Sequence, residues 1–206
     1  MLTLLLMIDL ARIRKRYKLG KDLTLKDAQV LLSEAKMVSV KKREMLIEAG
    51  SSSQELYFIR KGLVRSFHVN QRGDEITFRL ITESELVANT DTILYGRPSR
   101  YYYQALEDVS LLSMSYETAQ RIAAQNPKLD ARRKFFFQAV MRKALDRIES
   151  LVLLSPEERY EQFVQDYPDL TNRVQDKYIA HVLGITPVSL SRIRKRIASR
   201  KDNSGD

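Results

Sequence analysis

Residues 183–196 read LGITPVSLSRIRKR, a glycine turn followed at once by a short basic segment. Gly184 suits a sharp change of direction, Thr186 is placed to cap a helix, and Pro187 falls at that helix's first position, where its missing N–H costs nothing. Upstream, Asp176 to Leu183 predicts a first helix, with Ile179, Val182 and Leu183 apolar and a small Ala180 where a second helix can approach. On the second helix Leu190, Ile193 and Ile197 turn inward. At 100° per residue the opposite face carries Val188, Arg192, Lys195 and Ser199, flanked by Ser189, Ser191 and Arg196.

This pattern predicts a helix-turn-helix, a motif whose second helix lies in the DNA major groove. Arg173 to Lys201 holds eight basic residues and one acid, a local charge of +7 in a chain whose formal net charge is +9. Positive charge concentrated there is expected to meet phosphates. The plainer alternative is a helical hairpin with a solvated basic face. Candidate DNA contacts are Arg173, Lys177, Thr186, Val188, Ser189, Ser191, Arg192, Lys195 and Arg196.

Upstream again, Pro127 to Leu154 reads as one unbroken helix, which would reach about 42 Å at 1.5 Å per residue. Phe137, Val140, Ala144, Ile148 and Leu151 fall three or four apart and make an apolar stripe. Such a helix either covers a sheet or forms the spine of a symmetric dimer, and the stripe favours the dimer. Ser155-Pro156-Glu157-Glu158 reads as a capping box that opens a new helix, so a boundary is placed at Ser155.

From Met37 to Met114 the signal is different. MVSV, EMLIEAG, ELYFIRKG, LVRSFHVN and ITFRLI follow at spacings of roughly 8–12 residues, the rhythm of an all-β barrel or sandwich. Gly62 and Gly73 are expected to make hairpin turns, and YYYQALEDVSLLSMS adds a second strand group. Near the start, Thr24 and Asp27 before AQVLLSEA suggest a capped short helix. The opening MLTLLLMIDL is broken by Asp9 and too short to span a bilayer. It precedes rather than follows the basic run ARIRKRYK, the reverse of a secretory signal. A helix packed on its own domain is expected there, with an interfacial amphipathic helix as the alternative.

With 206 residues and 44% apolar content, the chain can build one large or two modest cores. It has no cysteine, which excludes disulfides and cysteine-ligated zinc or iron–sulfur clusters and fits a reducing cytoplasm. His68 and His181 are its two histidines, too few for a histidine-rich metal site, and no metal is expected. No glycine-rich nucleotide loop, nucleophile elbow or histidine–carboxylate grouping marks an enzyme.

Taken together, ELYFIRKG, YGRPSR and SLSRIRKRI resemble the sensor hairpin, phosphate-binding cassette and recognition helix of the Crp/Fnr family of bacterial transcription regulators. The resemblance implies an α+β chain. A β-roll (jelly-roll-like) sensor domain with N-terminal helices occupies residues 1–126, a dimerisation helix 127–154, and a helix-turn-helix domain 155–206. It also implies a homodimer on a pseudo-palindromic operator in double-stranded DNA, working with RNA polymerase in the cytoplasm and away from membranes. A non-DNA module that binds a cyclic nucleotide would explain the roll but leave the basic helix pair without a role.

Three departures from the family pattern matter. Cyclic-AMP-binding members carry Gly-Glu before the cassette and an Arg followed by a small residue after its proline. Here Asn89 and Thr90, then Ser99 and Arg100, stand in those places, so cyclic AMP is not expected as the ligand. An unidentified small effector would be lined by Thr90, Ser99, Arg100, Tyr101 and Tyr103. The missing cysteines remove the iron–sulfur sensing of oxygen-responsive members. Lastly, ASRKDNSGD shows no apolar alternation, so the final wing strands are expected to be absent.

Overall fold

The computed structural model describes Val30, residues 33–125 and residues 127–203, with backbone alone at 128–129, 131–137, 139 and 201–203. The helix expected near the start and most of the one expected from Thr24 lie outside this description, as does the side chain of Phe137; Val30 and Ser33 of the second are helical.

Among the described residues eight strands form a sandwich: β1 Lys36–Val40, β2 Met45–Ile47, β3 Glu55–Lys61, β4 Val64–Val69, β5 Glu75–Ile81, β6 Leu86–Ala88, β7 Tyr102–Ala105 and β8 Val109–Ser115. One sheet runs β1-β8-β3-β6 and the other β2-β7-β4-β5, with every pairing antiparallel. The inner faces contribute Ile59, Val87 and Leu111 from the first sheet, and Ile47, Val64, Ile81 and Tyr103 from the second, to one buried cluster. Alternating strands place such residues on one face, which is why the sequence rhythm was readable.

Gly73 makes the expected hairpin between β4 and β5. Its φ is +86°, and the Asn70 side-chain oxygen accepts from the Arg72 and Asp74 N–H groups at 2.9 Å each. Gly62 does not make a hairpin, and that expectation is corrected. β3 and β4 belong to different sheets, so Gly62 turns the corner between them. Its φ is +100°, and a Cβ there would lie 2.8 Å from the Asp108 carbonyl oxygen and 3.0 Å from the Val109 Cα. Close backbone approach, rather than turn type, requires glycine.

A short helix, α1 (Thr90–Tyr95), follows β6, and α2 (Tyr116–Gln125) follows β8. The long helix α3 (Pro127–Leu153) comes next, ending within a residue of the expected position. Lys143, Arg147 and Ser150 are half-buried on its inner side, and Lys143 reaches the buried Glu85 carboxylate at 2.6 Å. Opposite them Met141, Leu145, Ile148 and Val152 are exposed, Val152 at 74%. The apolar face is therefore wider than the stripe through Val140, Ala144, Ile148 and Leu151, and its centre is turned toward Leu145.

Four further helices follow among the described residues: α4 Pro156–Asp166, α5 Leu170–Arg173, α6 Asp176–Leu183 and α7 Pro187–Asn203. Ser155 and Glu158 form the expected reciprocal capping box. Among the described residues no strand follows α7. This domain packs directly on the roll: Leu63 and Leu80 share a core with Phe163, Leu170, Val174, Ile179, Ala180, Leu183 and Leu190.

Candidate nucleic-acid interface

The turn between α6 and α7 is built as its residues demand. Gly184 has φ +66°, and its N–H reaches the carbonyls of Ala180 and His181, closing α6. The Thr186 hydroxyl oxygen accepts from the Ser189 N–H at 3.1 Å and caps α7. Leu190 is fully buried and Ile193 nearly so, which pins the inner side of α7. Its outer side carries Val188, 61% exposed, with Ser191, Arg192 and Lys195 also exposed.

Arginines that sequence reasoning did not single out hold this helix pair in place. Arg159, buried, donates to the carbonyls of Leu183 at 2.9 Å and Leu154 at 2.6 Å, and Arg147 donates to that of Val182. The Val182 and Leu183 carbonyls are ones that the end of α6 leaves without helical partners, and that of Leu154 lies just past the end of α3. Arg194 points inward to the Tyr160 hydroxyl at 3.1 Å and to Asp176 at 2.7 Å. The motif's basic residues thus divide in two. Some anchor the fold, whereas Arg192 and Lys195 make no side-chain hydrogen bond or ion pair among the described residues.

Several candidate contacts sit elsewhere. Arg173 is not on the outer face: its guanidinium is held by Glu83 and Glu107 of the roll. Those two carboxylates raise its pKa further above the usual arginine value. Lys177 lies over the Tyr178 ring, 4.9 Å from its centre, and lines a cleft of about 500 Å³ with Asp74, Glu75, Ile76, Tyr178 and His181. Arg196 pairs with Glu157 at 2.5 Å, and Arg200 meets the same carboxylate. Thr186 is a cap and Ser189 its partner. The outer face is therefore narrower than expected and centres on Val188, Ser191, Arg192 and Lys195.

The residues expected to line an effector site in the roll mostly satisfy one another or their neighbours. Asn89, buried, caps α1 by accepting from the Thr92 N–H at 3.2 Å and donates to the Ser51 carbonyl at 2.9 Å. Asp91, only 2% exposed, accepts from Arg97 and from Arg100, whose backbone N–H also donates to it at 3.0 Å. The Arg100 hydrogen bonds, more than any other cause, hold the Asp91 carboxyl at about 2 against the opposing effect of burial. Arg100 is thus engaged by an internal carboxylate. Ser99 bonds the backbone of Tyr101, Thr90 bonds Tyr103, and Tyr103 is buried in the core, where desolvation raises its pKa. Tyr101 packs on Phe78 with ring centres 4.6 Å apart.

Among the described residues no helix is long and apolar enough to cross a membrane. Residues 37–126 match the cyclic nucleotide-binding domain family. The chain is 30% identical over 81 residues to the global nitrogen regulator of Nostoc sp., covering 39% of this chain and 36% of that one. It is 25% identical over 175 residues to the fumarate and nitrate reduction regulatory protein of Vibrio cholerae, covering 76% and 66%. The fold is similar to that of FixK2 from Bradyrhizobium japonicum, with a TM-score of 0.69 and 18% identity over 81% of this chain and 86% of that one. The chain spans between about a third and two thirds of the length of these curated relatives. Residues 37–126 thus form a cyclic nucleotide-binding roll, and with the long helix and terminal helix pair that follow it the chain is similar to regulators of the Crp/Fnr family.

Proposed function

We propose that this chain is a DNA-binding transcription regulator of the Crp/Fnr type. Two copies join along the exposed apolar face of α3 and set their α7 helices into successive major grooves of a pseudo-palindromic operator. The observation that carries this reading is the outer face of α7. There Val188, Ser191, Arg192 and Lys195 stand exposed, while neighbouring arginines are tied into the fold. An arginine so placed can give guanine O6 and N7 two parallel hydrogen bonds, and an exposed valine suits the methyl group of thymine.

The three parts act as sensor (1–126), dimerisation helix (127–154) and DNA-binding domain (155–206). The protein works in the cytoplasm beside RNA polymerase, by recruiting or obstructing it, and has no catalytic role. The roll responds to a ligand other than cyclic AMP or to none, because Thr90 stands in the place of the glutamate of the Gly-Glu pair and Asp91 occupies Arg100.

Selection of bound sites from random duplex DNA tests the reading. Enrichment of a two-fold sequence with half-sites about one helical turn, ~10 bp, apart or a multiple of it is expected. Failure to enrich any sequence would contradict it.

A further inference from the structure

Arg173 is the last residue of α5, three positions before α6 begins. Its guanidinium donates to Glu83 at 2.7 and 3.2 Å and to Glu107 at 2.8 and 2.9 Å. Glu83 lies between β5 and β6, and Glu107 between β7 and β8, so both carboxylates belong to the roll. Glu83 also accepts from the Gly62 N–H at 3.0 Å, which ties the clamp to the corner between the sheets. Arginine has five donors, and four bonds to two carboxylates leave little for a phosphate. Paired forks fix the plane of the guanidinium as well as its distance.

Docking through this clamp does not cover α7, whose outer face stays open to solvent. We infer that Arg173 is a positioning residue: the Glu83–Arg173–Glu107 clamp sets the angle of the helix pair on the roll. In a dimer it thereby sets the distance between the two α7 helices. This rests on the regulator reading above. Two half-sites must be met at once by one body, so freedom at the clamp has to be frozen out on binding.

Charge and positioning predict opposite signs, which makes the test decisive. The probe is the duplex selected by the wild-type chain, beside a scrambled duplex and versions with half-site spacing altered by a base pair or two. Glu83→Gln with Glu107→Gln removes two negative charges, which by electrostatics alone should strengthen DNA binding. Positioning predicts instead a loss of roughly tenfold or more on the selected duplex. It also predicts little change on the scrambled duplex and a weakened preference for the original spacing. Arg173→Lys, which keeps the charge but not the fork, should behave like the double variant.

Arg173→Gln should leave the salt dependence on scrambled DNA as in wild type, whereas a phosphate contact would lower the slope by about 0.9. Each single glutamine variant keeps two bonds of the clamp and should show part of the loss, with circular dichroism and the thermal midpoint establishing that it is folded. Stronger binding by the double variant, or a reduced slope for Arg173→Gln, would overturn the inference. If wild type selects a site and the variants keep its spacing preference, the clamp alone is refuted. If wild type selects nothing, the regulator reading falls and the clamp with it.

Discussion

The Arg65 guanidinium carbon lies 4.4 Å from the centre of the Tyr178 ring, joining β4 of the roll to α6 of the helix pair. Arg65 is almost wholly buried and also bonds Gln104, Thr77 and Glu75, with Phe67 beneath it at 4.0 Å. Its charge is satisfied within the roll, and Tyr178 supplies the face that closes over it. Tyr178→Leu keeps apolar contact but loses the ring. Stability should fall by about 0.5–2 kcal/mol in urea unfolding, the range for a partly desolvated cation over an aromatic face. An unchanged midpoint would show that the ring contributes nothing to docking.

The same interface contains His181, whose Nδ1 faces the Thr77 N–H at 3.4 Å and must be unprotonated to accept from it. Burial, followed by the charges of Lys177 and Arg65, lowers its pKa from 6.5. Asp74 and Glu75 line the same cleft as Lys177 and His181. A lowered histidine pKa gives a contribution fully present above the unfolded value and lost as pH falls through the folded one. Docking of α6 on β5 should therefore loosen below about pH 6.5, seen as faster amide exchange in α6. His181→Gln should flatten that dependence; a profile unaltered by the substitution would assign it to other groups.

Asp91 makes a second pH-linked prediction. Its carboxyl is held at about 2, below the ordinary 3.8, so its contribution is full above pH 3.8 and is lost as pH falls toward 2. Asp91→Asn should cost about 1–3 kcal/mol at neutral pH, since charge-assisted bonds to Arg97 and Arg100 are lost while both arginines can turn to water. The gap between wild type and variant should close in acid. Urea unfolding at several pH values measures it, and a constant gap would exclude this carboxylate as the cause.

Exposure along α3 identifies the residue most suited to splitting a dimer. Ile148 is common to the stripe read from the sequence and to the exposed line of Met141, Leu145 and Val152, and it is 57% exposed. Burying each such side chain against a partner contributes on the order of 1.5–3 kcal/mol. Ile148→Asp should give monomers at micromolar concentration in sedimentation, while Glu149→Lys should not. A monomeric wild type would refute the dimer.

What the sequence made legible was local. Gly184, Thr186 and Pro187 announce the turn because each satisfies a backbone need within a few residues, and strand rhythm follows from alternation. Errors arose where partners are distant. Gly62 looks like a hairpin glycine until Asp108 and Val109 are seen against it. Arg173 looks like a phosphate contact until Glu107 and Glu83, 66 and 90 residues away, are found beside it. The helix α2 carries a weak signal because half of YETAQRIAAQ is polar, its apolar residues are mostly alanine, and only Ile122 and Ala123 are buried. Nor could spacing reveal that Asp91 occupies Arg100, since the cassette's chemistry depends on which way a short helix turns its carboxylate.

Salt-dependent titration of the selected duplex and of a scrambled one, for wild type and for Arg192→Ala, tests the central claim most directly. Wild-type affinity should fall steeply with salt, each neutralised phosphate adding about −0.9 to the log–log slope. Arg192→Ala should lose about 1–3 kcal/mol per half-site on the selected duplex and far less on the scrambled one. Equal losses on both duplexes, or an affinity indifferent to salt, would contradict the assignment of α7 as the helix that reads DNA.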